Sequence, residues 1–111
     1  MAAAGKHAAA QEQLQAHKGD IAILCKRYGI LSLAVFGSVV AGDFNPEQSD
    51  IDFLVEFDPR RRKERFDDYF GLKEGLQDIL DRPVDLVTTD SLANPYFAAS
   101  VEASRQVLYA A

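Results

Sequence analysis

The chain has 111 residues, 48% hydrophobic and 26% charged. That suits one globular domain with its own core and leaves little length for a second domain to hold a substrate. A net charge of -5 argues against direct nucleic-acid binding, which calls for a basic face. The one cysteine, Cys25, excludes an internal disulfide, and no apolar run is long enough to span a membrane.

The N-terminus lacks the charged-then-apolar order of a signal peptide, and the expectation is a cytoplasmic protein. Residues 1–10 are alanine-rich with little pattern and are read as a flexible or tag-like segment; residues 11–111 are read as a single domain. From Gln11 to Tyr28 apolar residues recur at helical spacing, Leu14 and then Ile21, Leu24, Cys25 and Tyr28, and Gly29 follows as a C-terminal stop. Cys25 is expected to be a packed, reduced thiol. Leu31 to Phe36 reads as a buried strand closed by Gly37. Ser38 to Ala41 has room for a helical turn, and Gly42 to Gln48 has the composition of a loop.

Asp50 to Phe57 is the second expected strand. Alternation puts Asp50 and Asp52 on one face and Ile51, Phe53, Val55 and Phe57 on the other. Asp58-Pro59 ends it. Arg60, Arg61, Arg62, Lys63 and Arg65 form a basic run, read as a solvated loop in preference to a contact with a nucleotide phosphate or an acidic partner. Glu64 to Asp81 reads as a helix with Phe66, Tyr69, Phe70, Leu76, Ile79 and Leu80 on one side, weakened by Gly71 and Gly75. Pro83 to Thr88 is a third strand interrupted by Asp85. Asn94-Pro95 opens a final helix to about Gln106. Val107-Leu108-Tyr109 either continues that helix or forms a closing strand. Alternating elements of this kind describe a small layered α+β domain.

Two acids inside an apolar strand are costly unless something compensates, and a divalent cation is the simplest candidate. If the third strand pairs beside the second, Asp50, Asp52 and Asp85 converge from two strands. Three carboxylates without histidine or cysteine suggest Mg²⁺ or Mn²⁺ rather than Zn²⁺. Two such ions, roughly 3.5–4 Å apart, clamp the attacking and leaving oxygens of a phosphoryl displacement. Gly37-Ser38 adds a close backbone approach, N–H groups that favour an anion, and a hydroxyl donor. Singly these signals are weak: Gly-Ser is most often a turn, and Ser-Asp before an apolar run is often a cap. Their joint occurrence, in this order, points to a nucleoside triphosphate site.

Gly37-Ser38, the intervening residues 39 to 49, and Asp50-Ile51-Asp52 together resemble the signature of the polymerase-beta-like nucleotidyltransferase superfamily. Ser49 to Phe57, Gly71-Leu72-Lys73 and Arg82 to Thr88 resemble its minimal nucleotidyltransferase group. The resemblance implies a mixed sheet flanked by helices and a two-Mg²⁺ site. In it Asp50 and Asp52 bind both ions, Asp85 binds the one that activates the attacking hydroxyl, and Gly37 and Ser38 hold the β- and γ-phosphates of ATP. It implies transfer of AMP from ATP to a hydroxyl. Relatives of this size are commonly antitoxins that adenylylate a tyrosine of a helical HEPN-domain ribonuclease toxin. One departure stands out: the family often has arginine where Gly37-Ser38-Val39-Val40-Ala41-Gly42 has Ala41, and an arginine there would pair with phosphate oxygens. The departure favours an alternative reading, an antitoxin that neutralises its toxin by binding alone. A further alternative is small-molecule transfer with a helical partner subunit completing the site. His17 is read as a helix-surface residue, and Tyr69, Tyr96 and Tyr109 as packing residues.

Overall fold

A computed structural model describes residues 11–37, 40 and 50–111. Residues 11–16 are helical and turn at His17 into helix α1 (Lys18–Arg27); β1 (Ile30–Phe36) and β2 (Ile51–Phe57) follow. A 3-10 helix (Pro59–Glu64) leads into α2 (Arg65–Leu80), then β3 (Val84–Thr88), a second 3-10 helix (Thr89–Ala93), α3 (Pro95–Ser104) and β4 (Gln106–Ala110). The chain after α3 therefore forms a closing strand.

The four strands lie in the order β3-β2-β1-β4. β1 runs antiparallel to β2 and β4, and β2 runs parallel to β3. A parallel pair needs a crossover, which α2 supplies. The sheet is mixed, as the sequence resemblance implied.

Each sheet face has its own core. On one face Val35, Ile51, Phe53, Val55 and Leu86 pack with Ile21 and Leu24 of α1 and Leu72, Leu76 and Leu80 of α2. Cys25 is fully buried there, and burial pushes its thiol up to about 12, so it packs as a small hydrophobe. The second face holds a smaller cluster of Ala34, Phe36, Leu54 and Val101, with Leu92 and Phe97 against it. Phe36 and Phe97 meet edge to face with centroids 5.7 Å apart. Asn94 caps α3 by accepting from the N–H groups of Tyr96 and Phe97, with Pro95 at the first helical position, as the sequence suggested.

The glycines of α2 have a definite use. A Cβ on Gly75 would meet Leu24 Cδ1 at 2.6 Å, and one on Gly71 would strike the ring of Tyr28. Their bare backbone lets α1 lie closely on α2. Helix α1 ends at Arg27 with Tyr28 as its cap, and Gly29 just beyond has a φ of +64°, a conformation that glycine takes at little cost.

Three readings are corrected. The buried residues of α2 are Asp68, Leu72, Leu76 and Leu80, whereas Phe66 and Phe70 are 72% and 45% exposed. The basic run is solvated at Arg60, Arg62 and Lys63 but is not a loop: residues 60–63 lie in the 3-10 helix and Arg65 opens α2, and Arg61 donates to both carboxylate oxygens of buried Asp68, at 2.9 and 3.0 Å. That pairing is what lets an acid sit among the leucines. Tyr96, expected to pack, is exposed. Tyr69 and Tyr109 do pack against the main core. His17 lies on the helix surface, 3.4 Å from Asp20.

Candidate active site

Residue alternation along β2 sends Ile51, Phe53, Val55 and Phe57 into the main core. Asp52 belongs to the opposite face, at the start of the strand. The β2–β3 register pairs Asp52 directly with Asp85, and the β1–β2 register pairs Asp52 with Phe36. Three chain segments thus meet at Asp52: the end of β1, the start of β2 and the start of β3. The carboxylates lie beyond the small cluster around Leu54 and Phe36. Asp50 and Asp85 are exposed and Asp52 is half-buried.

The acids repel one another. Burial, joined by the charges of Asp85 and then Asp50, pushes the Asp52 carboxyl up to about 6. Two like-charged neighbours acting on a partly desolvated group produce this direction of shift. A cation at this place would relieve it. All the donors are oxygens, which fits a hard cation. Among the described residues no three ligating groups are already closed around one point. A hard ion that keeps water and phosphate oxygens in its shell does not need such a cage.

Gly37 sits against Asp52. Its φ is +77°, and a Cβ there would stand 2.7 Å from Asp52 Oδ2. Glycine therefore fits on two counts, backbone conformation and space. The Gly37 N–H donates to Ser104 Oγ at 2.9 Å, and the Gly37 carbonyl accepts from the Val40 N–H at 3.1 Å. The bond to Ser104 engages the backbone N–H of Gly37. Ser38, the other expected phosphate-binding residue, lies outside the described residues, as does Ala41.

Ser104 is a positioning residue that the sequence did not reveal. It ends α3, 67 residues from Gly37, and no local pattern links the two. The linkage comes through the second core: Val101 and Phe97 dock α3 on the sheet, and the last turn of the helix then reaches the β1 terminus.

Residues 21–108 match the family model described as a nucleotidyltransferase domain. A candidate protein adenylyltransferase of Methanocaldococcus jannaschii is 42% identical over 92 residues, which cover 83% of this chain and 87% of the relative. A solved candidate minimal nucleotidyltransferase superposes with a TM-score of 0.70 at 34% identity, covering 86% of this chain and 92% of that one. A solved toxin–antitoxin complex with AMP-PNP includes a chain that superposes with a TM-score of 0.58 at 26% identity, covering 85% of this chain and 73% of that one.

Proposed function

The chain belongs to the nucleotidyltransferase domain family, among its minimal nucleotidyltransferases, and from that membership we propose that it transfers AMP from ATP to a tyrosine hydroxyl of a HEPN-type toxin, with Mg²⁺, and so acts as an antitoxin. The observation that carries this reading is the meeting of Asp52, Asp85 and Gly37 where three strands end or begin. The toxin–antitoxin neighbour with AMP-PNP and the adenylyltransferase relative support the nucleotide and the kind of acceptor.

Asp50, Asp52 and Asp85 are the residues that would hold the metal. When bound, two Mg²⁺ ions neutralise phosphate charge and lower the pKa of the attacking hydroxyl. The acceptor oxygen forms a bond to the α-phosphorus of ATP while the bond from that phosphorus to the bridging oxygen of the β-phosphate breaks. Pyrophosphate leaves, and the hydroxyl proton is released to water at the exposed end of the site near Asp85. Gly37 keeps the wall beside Asp52 free of a side chain, so a triphosphate can approach. Gly37 and Ser38 are the residues assigned to the β- and γ-phosphates. Ser104 fixes Gly37 through its hydrogen bond.

The experiment is intact mass spectrometry of a purified HEPN-type toxin, incubated with the protein, ATP and Mg²⁺. The expected result is a mass gain of one or more AMP units, lost with Asp50→Asn/Asp52→Asn. A stable complex without mass gain refutes the transferase reading and leaves the second one, neutralisation by binding alone. Ala41 in place of the family's frequent arginine is the observation that favours that second reading.

A further inference from the structure

The structure carries a second feature at the other end of the sheet. Five of the twelve lysines and arginines of this acidic chain fall within residues 60–65. Two of them are committed internally: Arg60 donates to Asp58, whose carboxyl it holds below the usual range, and Arg61 to Asp68. Arg62 and Lys63 are exposed and have no carboxylate within ion-pair distance among the described residues. Arg65 lies over the Phe57 ring, 4.8 Å from its centroid.

The first turns of α2 place aromatics beside these cations. Phe66 and Phe70 meet with their rings tilted and centroids 4.7 Å apart, and Tyr69 meets Phe70 edge to face at 5.1 Å. A cavity of about 550 Å³ opens among them, lined by Arg62, Lys63, Arg65, Phe66, Tyr69 and Phe70 together with Phe57 and Thr88. Scattered apolar residues on a surface need no explanation, but adjoining exposed rings around a cavity do. Arginine and aromatic side chains are also the types enriched where proteins bind one another.

We propose that this basic, aromatic cleft docks an acidic amphipathic segment of the protein acceptor, which seats an apolar anchor on Phe66 and Phe70 and sets carboxylates against Arg62 and Lys63. The occupant follows from charge complementarity. Glu56 and Asp90 border the cleft through an adjoining cavity shared with Arg62 and Arg65, so the partner's carboxylates meet Arg62 and Lys63 on the side away from those two acids. The inference rests on the acceptor being a protein. The cleft is not catalytic: Phe57 lies five residues along β2 from Asp52, a distance of about 17 Å at the rise of a strand. It holds the partner, and the acceptor residue reaches the aspartates from there.

The test measures binding of the purified toxin to the full chain without ATP, so that no chemistry enters. Phe66→Ala/Phe70→Ala and Arg62→Glu/Lys63→Glu alter exposed side chains, and circular dichroism checks that both variants keep the fold. Each variant is expected to bind at least about tenfold more weakly, with the charge-reversed one losing most of the salt dependence. With ATP and Mg²⁺ present, the toxin concentration for half-maximal modification rises by the same factor while the maximal rate is unchanged. Wild-type affinity in both variants overturns the proposal. A labelled single-stranded RNA run in parallel separates the other anionic occupant: if RNA binding alone depends on the cleft, the proposal is equally overturned. Cleft-dependent binding of a toxin that is never modified refutes the transferase reading and upholds the docking. Modification that is indifferent to the cleft does the reverse.

Discussion

Asp52→Asn is expected to make the metal-free protein more stable while removing transfer. The folded state raises the Asp52 carboxyl from 3.8 to about 6. A carboxyl raised on folding is a liability wherever it is ionised in the unfolded chain, that is, above about pH 4. The penalty grows as pH rises from 4 to 6 and is fully present above 6. Two pH units would be worth about 3 kcal/mol at a sealed site. Asp52 stands at a half-open strand end, and solvent screening reduces this to about 1 kcal/mol. Asparagine keeps the shape and discards the charge. For a domain of this size 1 kcal/mol moves the melting midpoint by about 4 °C. The assay is thermal unfolding in EDTA across pH 4 to 8, wild type against Asp52→Asn. The variant should melt higher at pH 7.5, and the gap should close by pH 4. A variant that melts lower at pH 7.5, or a gap that ignores pH, would refute the electrostatic account of these acids. Adding Mg²⁺ should raise the midpoint of the wild type and leave that of the variant nearly unmoved.

Gly37→Ala forces a Cβ toward Asp52 Oδ2 at a φ of +77°; the expected cost is about 1–2 kcal/mol by chemical denaturation and a loss of transfer of about 100-fold, the scale of a displaced active-site group. Gly75→Ala would stabilise an exposed helix by about 1 kcal/mol, but here the Cβ meets Leu24, and the denaturation midpoint is expected to fall instead. Arg61→Ala should lower the melting temperature more than Arg60→Ala does, because it strands buried Asp68 whereas Arg60 lies on the surface; equal effects would mean that the Arg61–Asp68 pair contributes nothing special.

The β2 segment was legible because its information is local. Asp50-Ile51-Asp52-Phe53 states its own period, and alternation alone assigns the acids and the apolar residues to opposite faces. Pairing of Asp52 with Asp85 was legible as a condition: it follows once β3 lies beside β2. The cap at Asn94-Pro95 and the stop at Gly29 were legible for the same local reason. The buried stripe of α2 was not. Hydrophobicity alone puts Phe66 and Phe70 on the packed side and Asp68 outside. The structure reverses this because Arg61, seven residues upstream, neutralises Asp68 at the core boundary, and because the far end of the sheet leaves the two rings without a surface to cover them.

Gly71 and Gly75 show the same limit. Along one helix they read as weak points. Their purpose depends on Tyr28 and Leu24, more than forty residues earlier, so only the packed pair of helices gives them meaning. The Ser104–Gly37 bond is the extreme case. Gly37 stands out in the sequence but Ser104 does not, and what brings them together is the docking of α3 on a second, smaller core. The site is thus written in two ways. Its chemistry is spelled in contiguous residues, since carboxylate spacing along a strand is a local matter. Its geometry is held by distant contacts, since a glycine turn beside an acid must be fixed from outside the strand that carries it. Loss of the second core should therefore damage the site before it unfolds the domain, because α1, α2 and the opposite sheet face keep most of the buried apolar surface.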